Sequence, residues 1–181
     1  MTQKSVSTKP LEIVPVGVVH SPIKEPMLSA KDSGLELCER MDKVRSAQRE
    51  IQETVSELEV FEQWQELLHG IEGFSHILVL YWPHLIDPAR RKLKRVHPMG
   101  RRDLPEQGIF STCSPARPNP ILVTAVPLLK RENNRLHVQG LEAVDGSPLI
   151  DIKPYSTHYC MREPVSVPDW MRTIQQEIAK E

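Results

Sequence analysis

Apolar positions along the chain change period near residue 55. Leu37, Met41, Val44, Ile51, Val55 and Leu58 follow at steps of four, three, seven, four and three, with Glu, Lys and Arg between them. That is the spacing of one helix face, and it predicts an amphipathic helix near 35–54. Beyond it, Leu58 and Val60 alternate with Glu57 and Glu59, so the stripe gives way to a strand. A stripe of this kind packs into a core or a subunit contact. Its polar face carries both signs of charge, which is unsuited to a lipid surface. Val14, Val16, Val18 and Val19 predict a short strand ended by His20-Ser21-Pro22. Residues 62–69 predict a helix stopped at Gly70. Ile77-Leu78-Val79-Leu80-Tyr81-Trp82 is the strongest strand signal and, apolar on both faces, is expected to be central. Further strands are predicted at 108–112, 121–129, 135–142 and 149–153, and a short helix at 169–179. Short strands divided by Pro and Gly turns make the chain mostly β, of α+β type, with an antiparallel core closing as a small barrel and a few peripheral helices.

Composition narrows this further. The chain has 181 residues, suited to one domain. Lys and Arg number 23 against 24 Asp and Glu, a formal net charge of −1, which excludes a wholly basic nucleic-acid binder but not a local basic patch. Apolar residues are 39% and charged residues 26%, enough to build a core. The 16 prolines are about 9% of the chain, nearly twice the usual ~5%, and they crowd the second half, which favours short strands and fixed turns there. No apolar run reaches the ~18–20 residues of a membrane span, and residues 1–12 form a polar tail without a signal core. Cys38, Cys113 and Cys160 are far apart and form no C-x-x-C pair, so a reducing cytoplasm is the expected location and no metal centre is indicated.

Four constellations carry chemistry. Arg90, Arg91, Lys92, Lys94, Arg95, Arg101 and Arg102 place seven positive charges within thirteen residues, either a phosphate-binding strip or a solvated loop. His69, His76 and His84 lack the i, i+4 spacing of a helical metal site. His84, where a buried strand emerges, is either a satisfied structural histidine or a pocket residue. Ser114-Pro115-Ala116-Arg117-Pro118-Asn119-Pro120 is a rigid loop, a pocket wall rather than a PxxP ligand. Asp145-Gly146 marks a tight turn. After it, Asp151, Lys153 and Tyr155 share one strand face opposite Ile150 and Ile152, a polar row that is either an edge ion pair or part of a site.

Five ordered blocks carry a resemblance: Val16-Gly17-Val18-Val19-His20-Ser21-Pro22; Gly70-Ile71-Glu72-Gly73-Phe74-Ser75-His76; Gly108-Ile109-Phe110-Ser111-Thr112; Arg117-Pro118-Asn119-Pro120-Ile121; and Asp145-Gly146-Ser147-Pro148 through Asp151-Ile152-Lys153-Pro154-Tyr155. Together they resemble the TsaA-like family of S-adenosylmethionine-dependent methyltransferases, best known for tRNA N6-threonylcarbamoyladenosine methyltransferases. The likeness spans roughly residues 13–156, leaving 157–181 as a C-terminal tail with a short helix. It implies a single-sheet β-barrel, a homodimer with the cofactor near the interface, S-adenosyl-L-methionine as cofactor, and N6-methylation of threonylcarbamoyladenosine at position 37 of tRNA. A different small-molecule acceptor, or a non-catalytic cofactor-binding module, are the other readings.

Carried over position by position, the resemblance implies cofactor contacts from His84, Val123, Asp145, Gly146, Ser147 and Pro148. Lys31 stands in the early loop where the family has Pro-Arg-Gln. Cys113 stands where the family commonly has Arg, and Leu122 where it has Gly. Asn119, Asp151 and Lys153 are the expected catalytic groups, Asp151 to take a proton and Lys153 and Asn119 to polarise a carbamoyl oxygen. Asp145 is an acid–base candidate by residue type. The basic strip is expected to grip tRNA. The segment from Gly34 to Phe74 looks longer than usual, and with 26 residues after Tyr155 the C-terminal tRNA-binding extension of some members is not expected.

Overall fold

The computed structural model describes residues 11–26, 37–160 and 164–179, the side chains of 37–40 and 159–160 excepted. Its strands are β1 (Gly17–His20), β2 (Val55–Val60), β3 (His76–Tyr81), β4 (Arg95–Val96), β5 (Gln107–Gly108), β6 (Leu122–Glu132), β7 (Arg135–Gln139) and β8 (Pro148–Pro154). Its helices are α1 (Leu37–Glu53), α2 (Thr157–Cys160) and α3 (Asp169–Ile178). Six strands close into an antiparallel barrel in the order β1-β2-β7-β6-β3-β8, and β4 and β5 form a separate two-stranded ribbon. The barrel and its mostly β character are those the turn-divided strand pattern predicts.

Alternation along each strand builds the core. Val19, Leu58, Ile77, Val79, Val126, Leu136, Val138 and Leu149 are fully buried inside, and each has neighbours facing out. Burying a Leu or Ile side chain contributes about 1.5–3 kcal/mol, so these strands hold the barrel closed. Tyr81 also points inward; its hydroxyl donates to the Glu142 carbonyl at 3.0 Å, and burial pushes its pKa up to about 12. Gly17 is where β1 approaches β2 most closely: a Cβ there would stand 2.2 Å from the Glu59 carbonyl oxygen.

Several expectations are refined. β3 is hydrogen-bonded to both β6 and β8, as every strand of a closed barrel is to its two neighbours, and only one of its faces is core; Leu78 and Leu80 point outward, half-buried. The helix ends at Glu53, and Val55 begins β2, 48% exposed and off the helical stripe. The strand predicted at 108–112 is only Gln107–Gly108, followed by a 3-10 turn at Ile109–Ser111. The ribbon β4–β5 pairs only two residues on each strand, Arg95 with Gly108 and Val96 with Gln107. Residues 62–68 form 3-10 rather than α turns, and Gly70 follows in the left-handed region at φ 81°. No described helix is long and apolar enough to cross a membrane.

The helices pack against one another. Met41 and Val44 of α1 and Ile174 of α3 are buried, and the Arg45 guanidinium donates to the Glu177 carbonyl at 3.2 Å. Arg101 sits under the same contact.

Candidate functional site

Strand direction fixes where the chemistry gathers. β1 and β3 end, and β6 and β8 begin, at one rim of the barrel: Val19 N–H donates to the Ser147 carbonyl at 2.9 Å, Trp82 N–H to the Pro148 carbonyl at 3.0 Å, and Tyr81 pairs with Leu122. The rim therefore collects the β1 exit (residues 21–24), the β3 exit (Trp82–His84), the loop into β6 (residues 117–121) and the turn Asp145–Pro148. Of the expected site residues, His84, Asn119, Asp145, Gly146, Ser147 and Pro148 come to this rim.

The turn is fastened on both sides. Gly146 adopts φ 77°, a conformation that costs an L side chain about 1–2 kcal/mol, and its N–H donates to the Val19 carbonyl at 2.8 Å. A Cβ at Gly146 would face the His84 ring, 3.8 Å from Nε2. Ser147 is 1% exposed, with its Oγ 3.4 Å from His84 Nδ1. Asp145 is anchored rather than free. Its Oδ1 accepts from Ser21 N–H at 2.9 Å and its Oδ2 from Lys24 Nζ at 2.8 Å. The Lys24 hydrogen bond first, and the Ser21 backbone bond second, hold its carboxyl below the usual carboxylate range. Both carboxylate oxygens are thus tied to the β1 exit, and Asp145 anchors the turn there. Sequence reasoning misses Ser21 and Lys24; only the position of His20-Ser21-Pro22 at a strand end hints at them.

Val123, Asp151 and Lys153 lie elsewhere, on the outward face of the barrel beside the rim. Val123, Leu80 and Asp151 are successive partners across β6, β3 and β8, and Ala125, Leu78 and Lys153 form the next row. Val123 is 56% exposed. A bulge at Leu80/Tyr81 leaves Ile150 without a β3 partner, which keeps Leu149 inside while Asp151 faces out. Asp151 Oδ2 accepts from Lys153 Nζ, and its Oδ1 accepts from Ile152 N–H at 2.9 Å. Tyr155 lies just past the end of β8, but its N–H donates to the His76 carbonyl at 3.1 Å and its ring tilts against His76 at 6.3 Å between centroids, so it follows Asp151 and Lys153 along the same outward face.

Residues 82–121 leave the rim between β3 and β6 as one excursion that carries the basic strip. Asp87 caps a 3-10 turn at Pro88–Lys92 by accepting from Ala89 N–H at 2.8 Å, and the Arg91 guanidinium stacks over Trp82, 5.0 Å from the ring centroid. This contact lays the strip against the rim. Arg90, Lys92, Lys94, Arg95 and Arg102 are exposed. Arg101 is the exception and corrects its reading as a phosphate contact: it is 3% exposed and its guanidinium is paired with Asp103, at 2.6 Å, and with Glu177 of α3. Neighbouring helices cover it, so no phosphate can reach it.

Cys113 is exposed, and the nearby Arg117 is turned to its own loop. Arg117 Nε donates to the Ser114 carbonyl at 2.9 Å and Nη2 to the carbonyls of Ile109 and Thr112, so it braces its own loop. Lys31 lies outside the described residues. Among the described residues, His20, Glu57 and Glu59 bring possible metal-ligand atoms within 4.8 Å of one another. Arg135 already bridges both carboxylates, at 2.7 and 3.0 Å, and the group carries no assignment.

A closed antiparallel barrel carries a clamped Asp-Gly turn, a histidine facing it and a cationic excursion on the same rim, an architecture distinct from nucleotide-binding βαβ folds. The model of the tRNA-methyltransferase O N-terminal domain matches residues 40–160, and the chain belongs to this family of S-adenosylmethionine-dependent methyltransferases. The S-adenosyl-L-methionine-binding protein of Archaeoglobus fulgidus is 43% identical over 142 residues, covering 78% of this chain and 87% of that protein. A probable S-adenosyl-L-methionine-binding protein of Methanothermobacter thermautotrophicus is 43% identical over 150 residues, covering 83% and 93%. The mouse tRNA (adenine(37)-N6)-methyltransferase is 36% identical over 108 residues, 60% of this chain but 25% of that protein. The barrel also superposes on TrmO from P. aeruginosa with a TM-score of 0.64 at 21% identity, covering 92% of this chain and 64% of that one; this likeness concerns the fold.

Proposed function

We propose that the chain is an S-adenosylmethionine-dependent methyltransferase acting on N6 of threonylcarbamoyladenosine at position 37 of tRNA. The observation that carries the reading is the rim, where His84 and the Asp145–Pro148 turn face each other beside a cationic excursion. The names of the archaeal relatives support the cofactor, and that of the mouse relative supports adenine in tRNA.

The rim fits the cofactor. The side of Gly146 that a Cβ would occupy is turned to His84, and an exposed apolar Val123 stands on the outward face next to the rim. His84, Gly146, Ser147, Pro148 and Val123 are the residues that would hold it. When bound, it supplies an electrophilic methyl group. The chain's own part is orientation, holding acceptor and donor roughly 3–3.5 Å apart in line. Lys24 and Ser21 contribute by fixing Asp145 and with it the turn. The acceptor nitrogen, conjugated to a carbamoyl group, must shed its proton. Asp151 lies on the face next to the rim, with its side chain oriented by Lys153 and the Ile152 N–H; it takes that proton. Lys153 and Asn119 polarise the carbamoyl oxygen. Arg90, Lys92, Lys94, Arg95 and Arg102 contact tRNA phosphates. The working form is a homodimer, with the cofactor site near the subunit contact.

The reading makes two measurable demands. Asp151→Ala lowers turnover on modified tRNA at least about 10²-fold, the lower end for general acid–base catalysis, while the cofactor dissociation constant changes less than about twofold; full turnover in this variant removes Asp151 from the chemistry. Neutralising Arg90, Lys94 and Arg95 together flattens the salt dependence of tRNA binding by about 0.7–0.9 for each phosphate no longer neutralised. An unchanged slope removes the strip from the interface.

A further inference from the structure

Phe110 is 81% exposed, in a chain whose aromatic residues are only 5% of the total. A phenyl ring in water is unfavourable, and nothing in the barrel's packing explains it. The backbone beneath it is rigid. Phe110 is the middle residue of the 3-10 turn Ile109–Ser111, and Ile109 is buried. Thr112 Oγ1 donates to the Ile109 carbonyl at 3.0 Å, and Arg117 donates to the carbonyls of Ile109 and Thr112. The turn also leaves the β4–β5 ribbon inside the cationic strip: Gly108 pairs with Arg95, and Ile109 N–H donates to the Lys94 carbonyl at 3.0 Å. Arg95 is itself exposed, with one acidic neighbour, Glu106, at 4.0 Å.

We propose that Phe110 is a stacking platform for an unpaired RNA base, placed by the braced 109–112 turn beside the phosphate-binding cations Lys94 and Arg95. Single-stranded RNA is read by this combination: cations follow the backbone while an aromatic face receives a splayed base. Charge decides the occupant, because an exposed ring on a turn hydrogen-bonded to the Lys94–Arg95 strand suits a polyanion with exposed π faces better than an apolar protein surface. A rigid presentation also spares the ordering entropy that a mobile ring would lose on binding. The inference rests on the RNA reading above and adds a site that selects unpaired over paired RNA.

The test uses the full chain with two probes, an unmodified anticodon stem-loop RNA and a fully paired RNA duplex of the same length. Phe110→Ala is expected to weaken stem-loop binding about 5- to 150-fold, leave duplex binding and the salt slope unchanged, and leave the melting temperature unaltered. Phe110→Trp restores stem-loop binding, and its fluorescence is quenched by the stem-loop but not by the duplex. The platform is overturned if Phe110→Ala binds the stem-loop like the wild type while neutralising Arg90, Lys94 and Arg95 still flattens the salt dependence; the RNA reading then survives without it. It is equally overturned if Phe110→Ala converts a dimer to a monomer in sedimentation, which makes the ring a protein contact. If the wild type binds neither RNA at low salt, the RNA reading itself fails.

Discussion

Consider Arg101→Met, which keeps most of the apolar stem and removes the guanidinium. The side chain is 2% exposed, while its partners Glu177 and Asp103 are 26% and 47% exposed. Breaking a fully buried pair by deleting one partner costs about 3–5 kcal/mol, and an exposed pair is worth under about 1 kcal/mol. With the cation buried and both anions partly wet, the loss falls near ~2 kcal/mol, between those two limits. For a chain of this length that is a drop of about 4–8 °C in melting temperature. Asp103 adds a pH signature. The Arg101 hydrogen bond holds its carboxyl below the usual range, so its stabilisation is complete above the ordinary carboxylate pKa of about 4 and is lost as pH falls through the lowered folded value. Arg101→Met therefore narrows the stability difference from wild type below about pH 4. The assays are thermal and urea unfolding from acid to neutral pH, with hydrogen exchange across α3 to report on its docking. A midpoint shift under about 1 °C, or loss of RNA salt dependence with unchanged stability, refutes the placement of Arg101 under α1 and α3.

Two further outcomes follow from the same geometry. Gly17→Ala drives a Cβ to within 2.2 Å of the Glu59 carbonyl oxygen; because backbone cannot step aside, β1 separates from β2, and the variant is expected to be insoluble or to melt at least about 10 °C lower by circular dichroism. Lys24→Met frees one oxygen of Asp145. The exposed pair is worth under about 1 kcal/mol, so cofactor affinity measured by calorimetry falls about 2- to 5-fold, and the variant loses the part of the wild type's acid sensitivity below about pH 4 that comes from the lowered Asp145 carboxyl; unchanged affinity separates the turn from the cofactor.

What the sequence reveals is what local spacing encodes. The α1 stripe, the β3 run and the Asp145-Gly146 turn depend on residues within a few positions of each other, and each is present at its expected place. Burial set by distant partners is not encoded locally. Arg101 and Arg102 are adjacent and chemically identical, yet only Arg101 is covered, by a helix residue 76 positions away. Lys24 and Asp145 are 121 positions apart, and no spacing rule pairs them. The Ile109–Ser111 turn has strand-like composition, but the ribbon beside it pairs only two residues on each strand. Asp151 and Lys153 do share a face, as the two-residue period predicts, whereas the bulge at Leu80/Tyr81 and the end of β8 are not visible in that period.

Methyl transfer at the rim to adenosine in tRNA is open to direct measurement. Purified protein is incubated with S-adenosyl-L-methionine and tRNA bearing threonylcarbamoyladenosine, and the nucleosides are resolved by mass spectrometry. The modified nucleoside is expected to gain one methyl group on N6, and Asp151→Ala to abolish the gain while retaining cofactor binding. Cofactor bound at full affinity, with the modified nucleoside unchanged at every enzyme concentration, contradicts methyl transfer to this acceptor.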